Sequence, residues 1–286
     1  MCSKNNTKAH NFHCLAKHDF SVGLLRPAAK WIPVVLIFAA SCGYLLLLAR
    51  AERESGQLAS LPTLGDIVAY VFQGRKLYNP TEGDAFTIPF GYLLMNLYLA
   101  YLVGNYPVKD LLGYGQQILL RTRRRSRWWV SKCLWCAGTV LSFYLLGYLV
   151  MLAAAAVSGG FSLALTPEIG AYSELYAADP VSRDWLPSAL LLPAATSLAL
   201  SLLQLALMTV VKPVGAYIVI AVVVAASAYF YTPLLIGNYA MLLRNASFLE
   251  GGIAFWPALL VDLGIALAAA AAGFLAFRRY DILDKV

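Results

Sequence analysis

Few residues in this chain could carry out a reaction, and their places argue against one. The three histidines, His10, His13 and His18, all lie near the N-terminus. With Cys2 and Cys14 they form a stretch, H-x-x-H-C-x-x-x-H, whose donors could take Zn²⁺ or Cu⁺. That spacing matches no familiar metal site, and a mobile tail accounts for it, so no metal ligand is assigned. Cys133 and Cys136 make a C-x-x-C at the head of an apolar run, where thiols serve as small packing residues. Asp262 is the only acid inside any apolar run. A carboxylate at that depth costs a few kcal/mol unless it is protonated or paired. A hydrogen bond to a neighbouring helix, from Gln204 or a nearby serine, would satisfy it; a place on a transport path, with Gln204, is the alternative. The sequence contains no G-x-x-x-x-G-K-[ST], H-E-x-x-H or G-x-S-x-G. No catalytic residue is assigned, and an intramembrane enzyme, which needs paired groups within the spans, is disfavoured.

The elements around these residues are apolar. Of the 286 residues, 60% are hydrophobic and 13% charged, about half the charge of an ordinary soluble domain. Six continuous apolar runs stand out: 31–49, 86–106, about 129–157, about 185–211, 213–233 and 253–277. Each exceeds the roughly 17 residues needed to cross a hydrocarbon layer of about 30 Å. The runs do not alternate, which excludes a membrane β-barrel. The expected fold is an all-α membrane protein with six transmembrane helices. A cytoplasmic tail and interfacial segment would fill 1–30, the membrane domain 31–277 and a cytoplasmic tail 278–286. The first run is long enough to span and is followed by no small-residue cleavage site, so it is not read as a signal peptide.

Charge placement gives the orientation. With the N-terminus inside, 16 of the 22 Lys and Arg fall in inner segments and 6 in outer ones; the acids divide 4 inside and 10 outside. Both termini are therefore expected in the cytoplasm. The net charge of +7 is a topology signal, and no nucleic-acid partner is expected. Residues 62–73 space Leu64, Ile67, Val68, Val71 and Phe72 on one helical face, which predicts a short helix on the outer membrane surface. Thr166-Pro167-Glu168 reads as a helix start, after which Ile169, Tyr172 and Tyr176 could face the protein. The apolar loop after the fifth run either re-enters the bilayer or packs on the other outer helices.

The inner loop YPVKDLLGYGQQILLRTRRRSRWWVSKCLW is the most informative stretch. Residues 108–120 place Val108, Leu111, Leu112, Tyr114, Ile118 and Leu119 at helical spacing, interrupted by Gly113 and Gly115. This predicts an amphipathic helix at the cytoplasmic surface, either simply interfacial or a docking helix for a soluble partner. Arg121, Arg123, Arg124, Arg125 and Arg127, then Trp128 and Trp129, are expected at the lipid headgroups.

The order of these elements resembles an ABC type-2 permease, the membrane half of an ATP-binding-cassette exporter. The stretch GYGQQILLRTRRRSRWWVSKCLW and the ending FRRYDIL are similar to those of bacterial permeases of this type, and the likeness covers about residues 20–286. The resemblance implies that 108–120 is a coupling helix that docks on an ATPase. Asp110, Tyr114, Gln116 and Gln117 would make polar contacts, beside Leu111 and Leu112. It implies ATP and Mg²⁺ on a separate ATPase subunit and no cofactor on this chain. It also implies a second permease copy or a sister permease, and a cell-membrane location. The cargo implied is amphipathic: a peptide, a drug or a lipid-like molecule. An ion-coupled carrier, or a non-transporting immunity or sensory scaffold, remains the alternative reading.

Overall fold

A computed structural model describes residues 8–78, 87–122, 125–172 and 185–279. The described chain is helical. The helices are α1 (Lys8–Asp19), α2 (Ile32–Glu54), α3 (Leu64–Phe72), α4 (Phe90–Leu111), α5 (Tyr114–Thr122), α6 (Arg125–Ser158), α7 (Pro167–Tyr172), α8 (Trp185–Leu207), α9 (Pro213–Tyr229) and α10 (Phe255–Arg279). Among the described residues the only strand-like pairing is a single bridge between Asn245 and Ile253.

Among the described residues four helical stretches are long and apolar enough to cross a membrane: Ala28–Glu54, Arg125–Ser158, Trp185–Leu207 and Phe255–Arg279. Their outward faces carry large exposed apolar side chains, including Leu47, Leu141, Leu191 and Leu267. In water such faces would be costly; against lipid they are at home. The other two expected spans form helices that fall short on different grounds. The α4 sequence is long enough, but Asn96, Asn105 and four tyrosines dilute it. The α9 helix is apolar throughout but only 17 residues long.

The hub is α8, with α10 along one side and α4, α6 and α9 around it. Its sequence explains the position. Ser188, Ala189, Ala195, Thr196, Ser197, Ala199 and Ser201 are small and buried, so neighbouring backbones approach closely. On α10 the buried face is likewise small, with Ala258, Ala266, Ala269 and Gly273. Pro193 interrupts the hydrogen bonds within α8. Hydroxyls on α6 bind carbonyls of that turn: Tyr144 donates to Pro193 at 2.8 Å and Tyr148 to Leu190 at 2.5 Å.

One end of the bundle carries α1, α5 and the C-terminal end of α10; we call it the basic end. At the opposite end, α3 begins with a capping box in which Thr63 and Asp66 satisfy each other's backbone N–H. Asp66 also accepts from the backbone N–H and hydroxyl of Thr166, both at 2.8 Å, so one carboxylate holds the starts of α3 and α7 together. The helix start at Thr166–Glu168 is as expected, and Ile169 is buried; Tyr176 lies outside the described residues. The expected surface helix over 62–73 is instead an inserted one. Ile67, Val68, Ala69, Val71 and Phe72 are buried, and α3 packs on α2, α6 and α8. Leu64 and Tyr70 stay half-buried; elsewhere three neighbouring helices close over α3, and its one acid, Asp66, is satisfied by hydrogen bonds, so little of it is left to meet water.

The apolar segment after α9 packs inward as two short 3-10 turns, Ile236–Ala240 and Leu242–Arg244. Arg244 is its anchor. Its side chain is fully buried and donates to the carbonyls of Ser227, Ala228, Phe230 and Arg75 and to Asn238 Oδ1. Three of those carbonyls end α9, where the helix dipole is negative. Burial lowers the guanidinium to about 10, and it remains a cation at neutral pH.

Candidate functional site

The described residues bring the most polar chemistry together at the basic end, beneath α5. Lys132 of α6 is fully buried. Its Nζ lies 2.6 Å from Asp19 Oδ1, at the end of α1, and 2.7 Å from Asp110 Oδ2, near the end of α4. Asp19 also accepts from Tyr106 (2.8 Å) and Ser131 (2.5 Å). Asp110 accepts from Trp128 Nε1 at 3.0 Å. The ammonium sits 4.6 Å from the Tyr106 ring centroid and 5.1 Å from that of Trp128. Both carboxylates and the amine thus meet several partners each, which is the condition under which a buried ion pair is tolerable. This node joins α1, α4 and α6, elements separated by more than a hundred residues at the extremes.

Above it, α5 is a separate nine-residue helix. The helix expected over 108–120, interrupted by Gly113 and Gly115, is divided at the first of these glycines: residues 108–111 continue α4, Leu112 and Gly113 turn, and α5 starts at Tyr114 and runs through Gly115. Gly115 is where α5 closes on the node. A Cβ there would lie 2.3 Å from Asp110 Oδ2 and 2.7 Å from Trp128 Nε1. On the outer side, Leu112 and Tyr114 are 58% and 49% exposed, and Gln117 is exposed. The His18 ring stacks on Tyr114 at 4.1 Å, so α1 also braces α5.

The expected contact residues therefore separate into two sets. Leu112, Tyr114 and Gln117 are available to a partner, while Leu111 and Gln116 are half-buried. Asp110 is not available: it is 6% exposed and engaged by Lys132 and Trp128. The residues expected at headgroups divide similarly. Trp128 and Trp129 are buried rather than interfacial, because Phe277 of α10 stacks on both, with centroids 4.7 and 5.9 Å away. Trp129 Nε1 donates to the Ala270 carbonyl at 2.8 Å. Arg125 donates to the carbonyls of Phe277 and Arg278, capping α10, and Arg127 is half-exposed. Arg123 and Arg124 lie outside the described residues, as does the side chain of Arg121.

The N-terminal stretch is also more ordered than a mobile tail from residue 8 onward, since α1 packs on α6. Ligand atoms of His18, Asp19 and Asp110 lie within 4.8 Å of one another, a spacing open to a cation. Lys132 already supplies the positive charge between the two carboxylates, so the donor set does not fit a resident metal. Cys133 and Cys136 are free thiols, half-buried and buried, as expected of packing residues.

Within the bundle, Asp262 is fully buried and accepts from Thr196 of α8 at 2.7 Å through Oδ2; its Oδ1 accepts from no described residue. The partner helix is the expected one and the partner residue is not. Gln204 instead donates to the Ala100 carbonyl of α4 at 2.9 Å. Thr196 and Gln204 stand eight residues apart on α8, roughly 12 Å, so Asp262 and Gln204 do not form one site. Sequence reasoning missed the Asp19–Lys132 pair. The signal was present in one place: a lysine embedded in WWVSKCLW needs a buried acid or an exit to water.

Comparison with known proteins places the chain in one family. Its model, described as "Protein of unknown function (DUF2705)", matches residues 63–283, and the chain belongs to that family. No curated protein and no solved structure matches the chain.

Proposed function

We propose that this chain is the membrane permease of an ATP-binding-cassette exporter. In this reading it spans the membrane six times with both ends in the cytoplasm. A separate ATPase supplies ATP and Mg²⁺, and a second copy or a sister permease completes the path. The cargo is amphipathic, and the chain itself performs no covalent chemistry.

The observation that carries the reading is the seating of α5. A short helix with exposed Tyr114 and Gln117 sits at the basic end, joined to α4 through a turn that exposes Leu112. Its underside rests on the Lys132 node, so a push on α5 reaches α1, α4 and α6 together. Buried ionic contacts resist deformation better than a mobile loop, because partial separation leaves a desolvated charge unpaired. A permease without a P-loop needs such a lever. An ion-coupled carrier needs buried charges free to meet an ion. Asp19, Asp110 and Lys132 already neutralise one another, which leaves Asp262 as the buried acid within the spans without a cation partner among the described residues.

Tyr114→Glu tests the reading. In membranes with the cognate ATPase, the substitution is expected to lower cargo-stimulated ATP hydrolysis about tenfold or more, with the thermal unfolding of the chain nearly unchanged. Undiminished coupling would contradict the docking role. The ion-coupled carrier stays as a second reading because the Asp262 Oδ1 accepts from no described residue; it predicts that transport collapses with the ion gradient and in Asp262→Asn.

A further inference from the structure

Between α4 and α8 runs a line of buried polar side chains. On α8, Ser197, Ser201 and Gln204 fall at intervals of four and three, on one helical face. On α4, Asn96 and the Ala100 carbonyl face them. Asn96, Ser197, Ser201 and Gln204 are all less than a tenth exposed. Two cavities open on this line, each of about 10 Å³, the space of one water. Asn96 lines both, with Tyr92 and Tyr144 on one and Ser197, Ser201 and Gln204 on the other. Tyr144 and Ser197 hydroxyls are 2.7 Å apart and link the two. Gln204 lines the second cavity and is fully buried, and its Oε1 accepts from no described residue.

An unsatisfied amide oxygen in an apolar bundle costs about 1–3 kcal/mol. A cavity beside it, lined by hydroxyls and a second amide, supplies the partners that a small hydrogen-bonding guest needs. No ionisable acid or base lines either cavity apart from tyrosine. An ion would therefore lose its hydration without a counter-charge. From Tyr92 to Ala100 the α4 side of the seam covers about 12 Å, somewhat under half of a hydrocarbon core of about 30 Å.

We propose that the α4–α8 seam is a hydrated binding path for uncharged hydrogen-bonding groups, anchored by Gln204, and that it admits the hydroxyl or amide portion of an amphipathic cargo when α4 and α8 part. The cargo portion of this inference rests on the permease reading above; the hydration of the seam does not.

The test is thiol labelling of the full chain in membranes, without ATP or cargo, scored above the labelling of the unsubstituted chain. The probes are neutral hydroxyethyl methanethiosulfonate and anionic sulfonatoethyl methanethiosulfonate. Ser201→Cys, in a chain carrying Cys136→Ser because the two side chains are in hydrogen-bond contact, is expected to react with the neutral probe at least about tenfold faster than Leu191→Cys on the outward face, since thiols in apolar surroundings are inert. The anionic probe should react no faster at the seam than at Leu191→Cys. Adding Gln204→Leu should slow neutral labelling about tenfold, as the anchor is lost. If Ser201→Cys fails to accumulate, Ser197→Cys serves in its place. Slow labelling by both probes means a dry seam and overturns the inference; fast labelling by both means an ionic channel and overturns the neutral class. Loss of seam labelling in a chain that still couples to an ATPase removes this inference alone. A labelled seam in a chain without an ATPase removes the permease reading, and the cargo portion with it, and leaves the hydration of the seam standing.

Discussion

Two buried cations hold the ends of this bundle, and they do so by opposite means. Lys132, at the basic end, meets two carboxylates and two aromatic rings. Arg244, at the other end, donates to uncharged oxygens: the carbonyls that finish α9, the Arg75 carbonyl and Asn238 Oδ1. The first arrangement joins helices from distant parts of the chain through charges that cannot separate cheaply. The second seals a loop onto the nearest helix end through neutral dipoles. One ties α1, α4 and α6 together, the other closes the opposite end. Side-chain chemistry follows the difference. An ammonium is compact and can sit between two carboxylates, whereas a guanidinium spreads five donors over several acceptors.

Substitutions that erase each cation sharpen the contrast. Lys132→Met should be the most damaging single change, leaving Asp19 and Asp110 buried together without compensation, at a cost of about 3–5 kcal/mol. Thermal unfolding in detergent reads it, and Asp19→Asn with Asp110→Asn in the same chain should recover most of the loss. If the triple variant is no better than Lys132→Met, charge is not what the node supplies. Arg244→Met should cost less, about 2–3 kcal/mol, because water or a relaxed loop can reach the released carbonyls at the bundle's end. A larger loss than for Lys132→Met would reverse the comparison. Gly115→Ala is expected to cost about 1–3 kcal/mol, since its methyl group would press on Asp110 and Trp128. Its effect on ATPase coupling should exceed its effect on melting. Asp262→Asn is the mildest: the amide oxygen still accepts from Thr196, so stability should change by less than about 1 kcal/mol. Under the permease reading transport survives it.

The contrast also marks what the sequence made legible. Continuous apolar runs located the helices at nearly their observed bounds, because length and apolarity alone decide whether a segment can cross lipid. The Thr166-Pro167 start was readable because capping is local chemistry. The α3 helix was recognised, but its burial was not. Amphipathic spacing tells which face is apolar and not how much protein will close over the rest, and here α2, α6 and α8 cover it. The two tryptophans misled for a related reason. Trp next to an arginine run favours an interface on average, yet Phe277, nearly 150 residues later, draws both rings inward. Likewise Asp110 reads as a surface contact of the 108–120 stretch, yet it lies near the end of α4 and is engaged by Lys132. Partnerships of this kind depend on helix placement in three dimensions, which periodicity does not encode.

The central claim is that α5 is where a soluble ATPase presses on the bundle. The most direct measurement is a photo-crosslinking residue placed at Gln117, exposed on α5, in the full chain in its native membrane, with the captured partner identified by mass spectrometry. The account predicts one dominant adduct, a soluble chain carrying a P-loop, abolished by Tyr114→Glu in the same molecule. Crosslinking to lipid alone, or to a P-loop chain unaffected by Tyr114→Glu, would contradict it.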